Sequence, residues 1–554
     1  MSLSPSSAIK RFEILRLAAG HLPPFARFLA ALHANGDAEF FHPHGFDSES
    51  ARLVVQASAC GADEYWIAFD GEEVLAYGML RGWDEGYDVP SLGLAVAPGH
   101  RGRGLSQAMM RHLHDRASLR GAASIRLKVD RRNAAARRLY EAIGYRLTDH
   151  STAELVGFFD LEPSGGTTAG PPAEPFIPVA MPELVGNEER YVVEAVRSSW
   201  ISSSGEFLSR FEREFATACE SRFALGVSNG TTALHLVLSG LNVRPGDEVI
   251  VPSMTYIATA NAIRYCGGEP VFVDVDPETW CIAADAVEAA ITPRTRGVIA
   301  VHLLGQPADM DPIMKVASTH GLWVVEDAAE APFATYKGRL VGSIGHAGTF
   351  SFYGNKLLTS GEGGAITFQE PHLERRYRML RGQGMDPDRR YYFPIIGFNY
   401  RMTNVAAAIL CGQMERRESI MTRRRQIWSR YVERLSAIPG IGLRMSNDWS
   451  EISPWMFACL VDERVFGVSR DHLAAALHAR RIETRPMFVP LHSLPPYQHA
   501  HVSGRALPVT DGLGARGIML PTYNALSDDD IDRICDAISR IGAGCTTRAG
   551  RQAA

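Results

Sequence analysis

Lys356 is the single lysine in Gly348–Gly364, a stretch made mainly of glycine, apolar and hydroxyl residues. An ammonium desolvated among such neighbours gives up its proton more readily, and the free amine can form a Schiff base near neutral pH. Upstream, the apolar run Trp323–Asp327 ends on a carboxylate, with Glu330 three residues further on. A carboxylate at that place can pair with the ring nitrogen of a heteroaromatic cofactor. A third segment, Val227–Leu236, carries Gly230, Thr231 and Thr232 at the opening of an apolar helical stretch, where free backbone donors and hydroxyls suit a phosphate. Taken singly, these segments also read as a capped helix, a buried strand end and a surface lysine. Taken together they supply an amine, a ring-nitrogen partner and a phosphate cup, the requirements of a pyridoxal phosphate site.

A second set of residues lies near the N-terminus. The strand-like run Ser91–Val96 leads through Pro98-Gly99 into Arg101–Ser106, where Gly102 and Gly104 precede the helical Gln107–Leu113. Glycines let backbone N–H groups approach an anion and the helix start adds a favourable dipole, so a pyrophosphate fits there, as does a plain strand-to-helix turn. After it come Val129–Asn133, a short helical segment through Leu139-Tyr140, and the stop Gly144-Tyr145.

These two N-terminal segments resemble the GNAT family of acyl-CoA-dependent N-acetyltransferases over roughly residues 11–160. Its loop pattern is matched by Arg101 and Gly104, with Ser106 where glycine or alanine is usual. The resemblance implies that Val96, Arg101, Gly102, Gly104, Ser106 and Asn133 bind acetyl-CoA, and that Tyr140 protonates the departing thiolate. Asp84, Glu85 and His100 are candidates for the base.

The larger part, Ile177–Ile541, resembles the DegT/DnrJ-type nucleotide-sugar aminotransferases. The likeness rests on the three segments above and on Trp200–Gly205, Gly246–Pro252, Gly397–Asn404 and Thr484–His492. It implies that Gly230, Thr231, Thr232 and Ser351 hold the phosphate of pyridoxal phosphate, and that Tyr256 covers its ring. Asp327 and Glu330 would meet its polar edge, Lys356 would carry it, and Asn399 would reach the phosphate of a neighbouring subunit, making a homodimer. Within the family, the spelling of these motifs is most similar to enzymes aminating C4 of a GDP-linked 4-keto-6-deoxy sugar. Cyclitol ketones and other keto sugars remain alternatives.

The elements needed to position these residues can be read from periodicity. In the first block, Tyr65–Phe69 and Glu73–Leu80 flank a two-residue Asp70-Gly71 hairpin signal, suggesting a mixed sheet with helices. In the second, runs at Glu248–Val251, Pro270–Asp274, Gly297–Val301 and Leu322–Glu326 alternate with helical lengths, the pattern of a parallel sheet in a doubly covered α/β fold. The resemblance makes this a type I (aspartate-aminotransferase-like) large domain over 177–414, with a small α+β lobe over 415–541 whose final helix runs from Asp528 to about Ile541. The Pro/Gly/Ser/Thr-rich stretch within 161–176 reads as a flexible linker, reaching about 20 Å as a coil.

Bulk properties exclude several classes. A chain of 554 residues with 46% apolar residues and a net charge of -5 offers no large positive field for nucleic acid or a membrane surface. The run Arg423–Arg425 reads as the solvated face of a helix. The 8 cysteines form no C-x-x-C pair and are expected to be reduced and buried, and neither a signal segment nor an apolar span of about 18 residues is present, which points to the cytoplasm. Joined, the two blocks suggest amination of a nucleotide-linked keto sugar with glutamate as donor, followed by acetylation of the new amine. A non-catalytic coenzyme- or partner-binding N-terminal module is the rival, and a dehydrating enzyme is disfavoured because Lys356 stands where such family members carry histidine.

Overall fold

Alternating strand and helix patterns fold as two units, Met1–Pro172 and Ala173–Ala554. The structure, a computed structural model, describes residues 12–40, 44–87, 89–149, 151–161, 174–444, 447–504 and 506–552, with 38, 60 and 543–552 as backbone alone. Most of the expected linker therefore lies outside the described residues.

In the first unit seven strands form one sheet: β1 (Glu13–Arg16), β2 (Glu64–Phe69), β3 (Val74–Arg81), β4 (Ser91–Val96), β5 (Ser124–Asp130), β6 (Arg146–Asp149) and β7 (Glu154–Asp160), in the order β1-β2-β3-β4-β5-β7-β6. Side chains alternate across a strand, so β5 sends Ile125, Leu127 and Val129 inward while Arg126 and Lys128 face out. One face is covered by α1 (Leu22–Ala34) and α2 (Ser48–Cys60), whose Phe25, Phe28 and Leu29 pack on Ile67 and Tyr77. The other carries α3 (Leu105–Leu119) and α4 (Ala134–Ile143), with Met109, Met110 and Leu113 against Leu80, Ile125 and Leu127. All pairings are antiparallel except β4 with β5, whose parallel ladder is registered at one pair, Ser91 with Arg126. The expected two-residue hairpin is in fact the longer turn Asp70–Glu73: Asp70 Oδ1 accepts from the N–H groups of Glu72 and Glu73 at 3.1 and 2.9 Å, drawing two more residues out of the ladder.

The second unit is built on an eight-stranded sheet. It contains β8 (Phe223–Val227), β9 (Glu248–Pro252), β10 (Glu269–Val273), β11 (Thr295–Val301) and β12 (Trp323–Asp327). Its order is His501–Val502, β10, β9, β11, β12, Ala347–Ser351, Gly364–Phe368, β8. The strands from His501–Val502 through Ala347–Ser351 are parallel and the last two pairings antiparallel. Buried on both faces, Val249–Val251 of β9 and Val298–Val301 of β11 read as unbroken apolar runs, as the sequence showed. A smaller sheet of Ile441–Leu443, Phe457–Val461, Gly517–Leu520 and Arg485–Pro486 packs with helices Arg417–Leu435, Arg470–His478 and Asp528–Gln552. That last helix runs past the expected stop at Ile541. No described helix is long and apolar enough to cross a membrane.

The Arg423–Arg425 run is not one solvated face. Arg423 and Arg425 reach Asp528 and Glu451, but Arg424 is buried and donates to Asn524 Oδ1 at 2.7 Å, Trp455 O at 2.7 Å and Thr522 O at 2.6 Å. The helix turns it 100° from each neighbour, and the carbonyls it meets come from segments far away in the sequence. Removing a buried donor set strands those acceptors, so Arg424→Met should lose about 3 kcal/mol of stability while Arg425→Met loses under about 0.5. Denaturant titration of the two variants checks this, and equal losses would show that Arg424 contributes no more than a surface residue.

Candidate active sites

In the second unit a cavity of about 510 Å³ opens at the C-terminal ends of the parallel strands and is lined by Gly230, Thr231, Tyr256, Asp327, Glu330, Ser351 and Lys356, all expected from sequence. Chain geometry explains the convergence. Strand β8 delivers α5 (Gly230–Gly240), whose cap Asn229 accepts from Thr232 N at 2.9 Å while Thr232 Oγ1 donates to Asn229 O at 2.8 Å. Thr232 is thereby spent on the cap and does not line the cavity; Gly230 and Thr231 face it. A Cβ on Gly230 would fall 2.8 Å from Ser351 Cβ, so glycine lets the helix start sit against the neighbouring strand end.

Asp327 ends β12, and successive residues of that strand face opposite ways. Glu326 points into a fully buried nest, accepting from the N–H groups of Gly342, Ile344 and Gly345 at 2.8, 2.8 and 2.6 Å and from His302 Nε2 at 3.0 Å. This anchors the strand end, so Asp327 faces the cavity, where Oδ2 accepts from Thr259 Oγ1 at 2.8 Å and Oδ1 from Ala329 N at 3.2 Å. Burial raises the Asp327 carboxyl above its ordinary range, against the pull of Thr259, Ala329 and Lys356.

Lys356 follows a short turn after the strand ending at Ser351. Its Nζ lies 3.7 Å from Glu330 Oε1 and 3.7 Å from the centroid of the Trp455 ring, a desolvated cation–π contact. Burial lowers the Lys356 amine, with Glu330 and Asp327 opposing. Burial likewise raises Glu330, opposed by Lys356 and by the Leu304 N–H that donates to its Oε2 at 2.8 Å. Trp455 Nε1 donates to Asn355 O at 2.8 Å, which holds the lysine turn.

Sequence reasoning missed Thr259, Trp455, Arg485 and Leu304. Arg485 lines the cavity from the smaller lobe's sheet, inside the Thr484–His492 segment that the sequence marks without giving Arg485 a role; Trp455 comes from about a hundred residues after Lys356, with no local pattern to mark it. Tyr256 stands at the cavity 59% exposed, with Phe488 6.0 Å away. Asn399 is exposed and bridges Gly382, outside the lining.

The residues present fit pyridoxal phosphate. The set comprises a primary amine whose side chain is 14% exposed, a carboxylate with spare acceptor capacity, and a helix start made accessible by glycine beside Thr231 and Ser351.

In the first unit, β4 ends at Val96, whose carbonyl accepts from Arg101 Nε at 3.3 Å, and Arg101 also pairs with Asp37. Gly102 and Gly104 take left-handed φ values of 75° and 79°, and a Cβ on either would meet nothing within 4 Å, so conformation alone selects glycine there. Gly104 caps α3 without any side-chain acceptor, leaving the amides of the first turn, including Ser106, without a side-chain cap. Asn133 is committed to capping α4, its Oδ1 accepting from Ala136 N at 3.0 Å. Tyr140 lies in the core with Leu127, Val129 and Tyr145, and burial pushes its hydroxyl up to about 12, which keeps it protonated.

The opposite face of the same sheet carries a cavity of about 650 Å³ lined by Arg81, Glu85, Tyr87, Arg126, Lys128 and Glu154 among others. Of the three bases suggested by sequence, Glu85 is on it. Asp84 is turned away to accept from Ala62 N, and His100 sits in the Pro98–His100 turn.

Residues 182–539 match the model of the DegT/DnrJ/EryC1/StrS aminotransferase family, and residues 33–145 match that of the Acetyltransferase (GNAT) family. A GDP-perosamine synthase of Caulobacter vibrioides is 47% identical over 371 residues, covering 66% of this chain and 98% of the relative. One from Escherichia coli O157:H7 is 41% identical over 369 residues, with the same shares. Among solved structures, DesV of S. venezuelae in complex with a ketimine intermediate has a TM-score of 0.63 at 35% identity, covering 67% of this chain and 99% of DesV. DesI in the presence of its TDP-sugar product has a TM-score of 0.64 at 34% identity, covering 69% and 97%. Strand order, cavity and these likenesses together make the chain a pyridoxal-phosphate-dependent member of the DegT/DnrJ/EryC1/StrS aminotransferase family that carries a GNAT domain at its N-terminus.

Proposed function

We propose that this chain aminates a nucleotide-linked 4-keto-6-deoxy sugar and then acetylates the amine it has made. The observation that carries the first step is the convergence of Lys356, Asp327, Glu330, Gly230 and Thr231 on one cavity at the strand ends. When bound, pyridoxal phosphate supplies an electron sink for moving an amino group between glutamate and the keto sugar. Lys356 would carry the cofactor, and its free amine would hold and move a proton at the reacting centre. Asp327 would pair with the ring nitrogen, Gly230, Thr231 and Ser351 would hold the phosphate, and Tyr256 would lie against the ring. The GDP-perosamine synthases point to a GDP-linked sugar as substrate.

A homodimer is the working unit in this reading. The exposed segment Tyr391, Tyr392, Phe393, Ile395 and Ile396, the last 93% exposed, is an apolar surface suited to a second copy, next to Asn399, which would reach the partner's phosphate. Free Cys219, Cys281, Cys411, Cys459 and Cys535, all buried, suit the cytoplasm.

For the second step, the Val96–Ser106 loop with Asn133 would bind acetyl-CoA, Tyr140 would protonate the thiolate, and the amine would enter from the cavity whose lining includes the candidate base Glu85.

Lys356→Ala should bind no Schiff-base-linked cofactor and lose more than about 10³-fold in amination; a borohydride-stable adduct on another lysine with retained turnover would overturn the assignment. Asp327→Asn should fold normally, by circular dichroism, yet lose about 10²-fold or more in amination, because shape is kept and charge is not. Near-normal turnover would remove Asp327 from the electronic role. Tyr140→Phe should slow acetyl transfer about 10²-fold with amination unchanged, since a thiol of pKa near ~8.5 already leaves moderately well. Accumulation of unacetylated product from the natural chain under excess acetyl-CoA, followed by mass spectrometry, would sink the second step and leave the first.

A further inference from the structure

Arg444 is a buried cation to which the reading above gives no task. It is 6% exposed, and its guanidinium lies 5.0 Å from the Trp428 ring and 5.7 Å from that of Trp280. Its Nη1 donates to Leu303 O at 3.0 Å and Nη2 reaches Leu304 O at 3.4 Å. Holding a guanidinium away from water against neutral carbonyls is costly, and an apolar side chain would fill the same space more cheaply unless the carbonyls need fixing.

The turn that it holds is strained. Leu304 is fully buried with φ 51° and ψ 34°, a left-handed conformation that costs a branched residue on the order of 1 kcal/mol. Gly305 follows at φ 85°, so close to the smaller lobe that a Cβ would lie 1.9 Å from Ser453 O. The strained backbone achieves one thing for the active site: it aims Leu304 N–H at Glu330 Oε2, 2.8 Å away, while Glu330 Oε1 faces Lys356. Leu303 and Leu304 therefore connect a cation on the far side of the turn to the amine inside the cavity.

We propose that Arg444 is a positioning residue for Lys356: by clamping the carbonyls of Leu303 and Leu304 it fixes the Leu304 N–H that holds Glu330 against the amine. The proposal rests on Lys356 being the cofactor-bearing amine. Among the described residues, the charged or titratable groups around the relay are Asp327, Glu330, Lys356 and His302 on the cavity side, and the Cys281 thiol, with Asp276 beside it, near Arg444 and Glu330.

The sign of the effect follows from charge. Glu330 as an anion favours protonated Lys356, so loosening it lowers the pH at which the amine becomes free. The test uses the full chain freed of cofactor, with the pH dependence of Lys356 trinitrophenylation read by peptide mass. Glu330→Gln should move the midpoint acidward by about one unit, Arg444→Met should give much of that shift, and Arg444→Lys should recover part of it. On the Glu330→Gln background Arg444→Met should add nothing, whereas simple loss of packing would destabilise the protein without tracking Glu330. An unmoved midpoint in Arg444→Met, or an equal shift with and without Glu330, overturns the proposal. If Glu330→Gln itself moves nothing, the relay fails at its last link, and the Lys356→Ala experiment reports separately on the cofactor assignment. Should Arg444→Met not fold, Arg444→Gln, which keeps one amide donor, is read by the same criteria.

Discussion

The Lys356 amine is withdrawn from water with the Trp455 ring on one side and Glu330 on the other, and much of the irregular structure of the larger unit serves that contact. A buried ammonium is tolerated only where opposite charge and a polarisable face replace lost hydration. Each replacement is itself held from elsewhere. Trp455 is pinned through Nε1 to the carbonyl before the lysine, Glu330 through Leu304 N–H, and Asp327 by the anchoring of its neighbour Glu326. The regular sheet supplies the platform, and the turns at its C-terminal ends supply the precision.

Asp327 was legible because it ends a short apolar run, where strand geometry predicts direction, and Lys356 because it is the single lysine in a stretch of glycine, apolar and hydroxyl residues. The parallel order was legible because strands buried on both faces lose the polar alternation of a one-sided sheet. Trp455, Arg485 and Leu304 were not, because their roles depend on tertiary packing that leaves no periodic trace. Arg424 shows the same limit from the other side, since composition alone placed it on a solvated face and only the carbonyls of Trp455 and Thr522 reveal why it is buried. In Asp70–Glu73 the turn residues were found but not the turn length, which depends on a side chain accepting from two amides at once.

The two units open their glycine-led helix starts differently. In α5 the cap is closed by reciprocal bonds between Asn229 and Thr232, and steric closeness to Ser351 selects Gly230. In α3 no side chain caps the helix, and Gly102 and Gly104 are selected by left-handed backbone alone. A similar glycine-before-helix pattern thus hides two physical causes.

Arg424 has a consequence for motion. It ties the helix Arg417–Leu435 to the backbone carbonyls of Trp455 and Thr522, while the Trp455 indole reaches the turn bearing Lys356 through Asn355 O. The ring that lies against the amine is thus held at one end from the smaller lobe and at the other from the platform, so a displacement of that lobe has to strain this bridge.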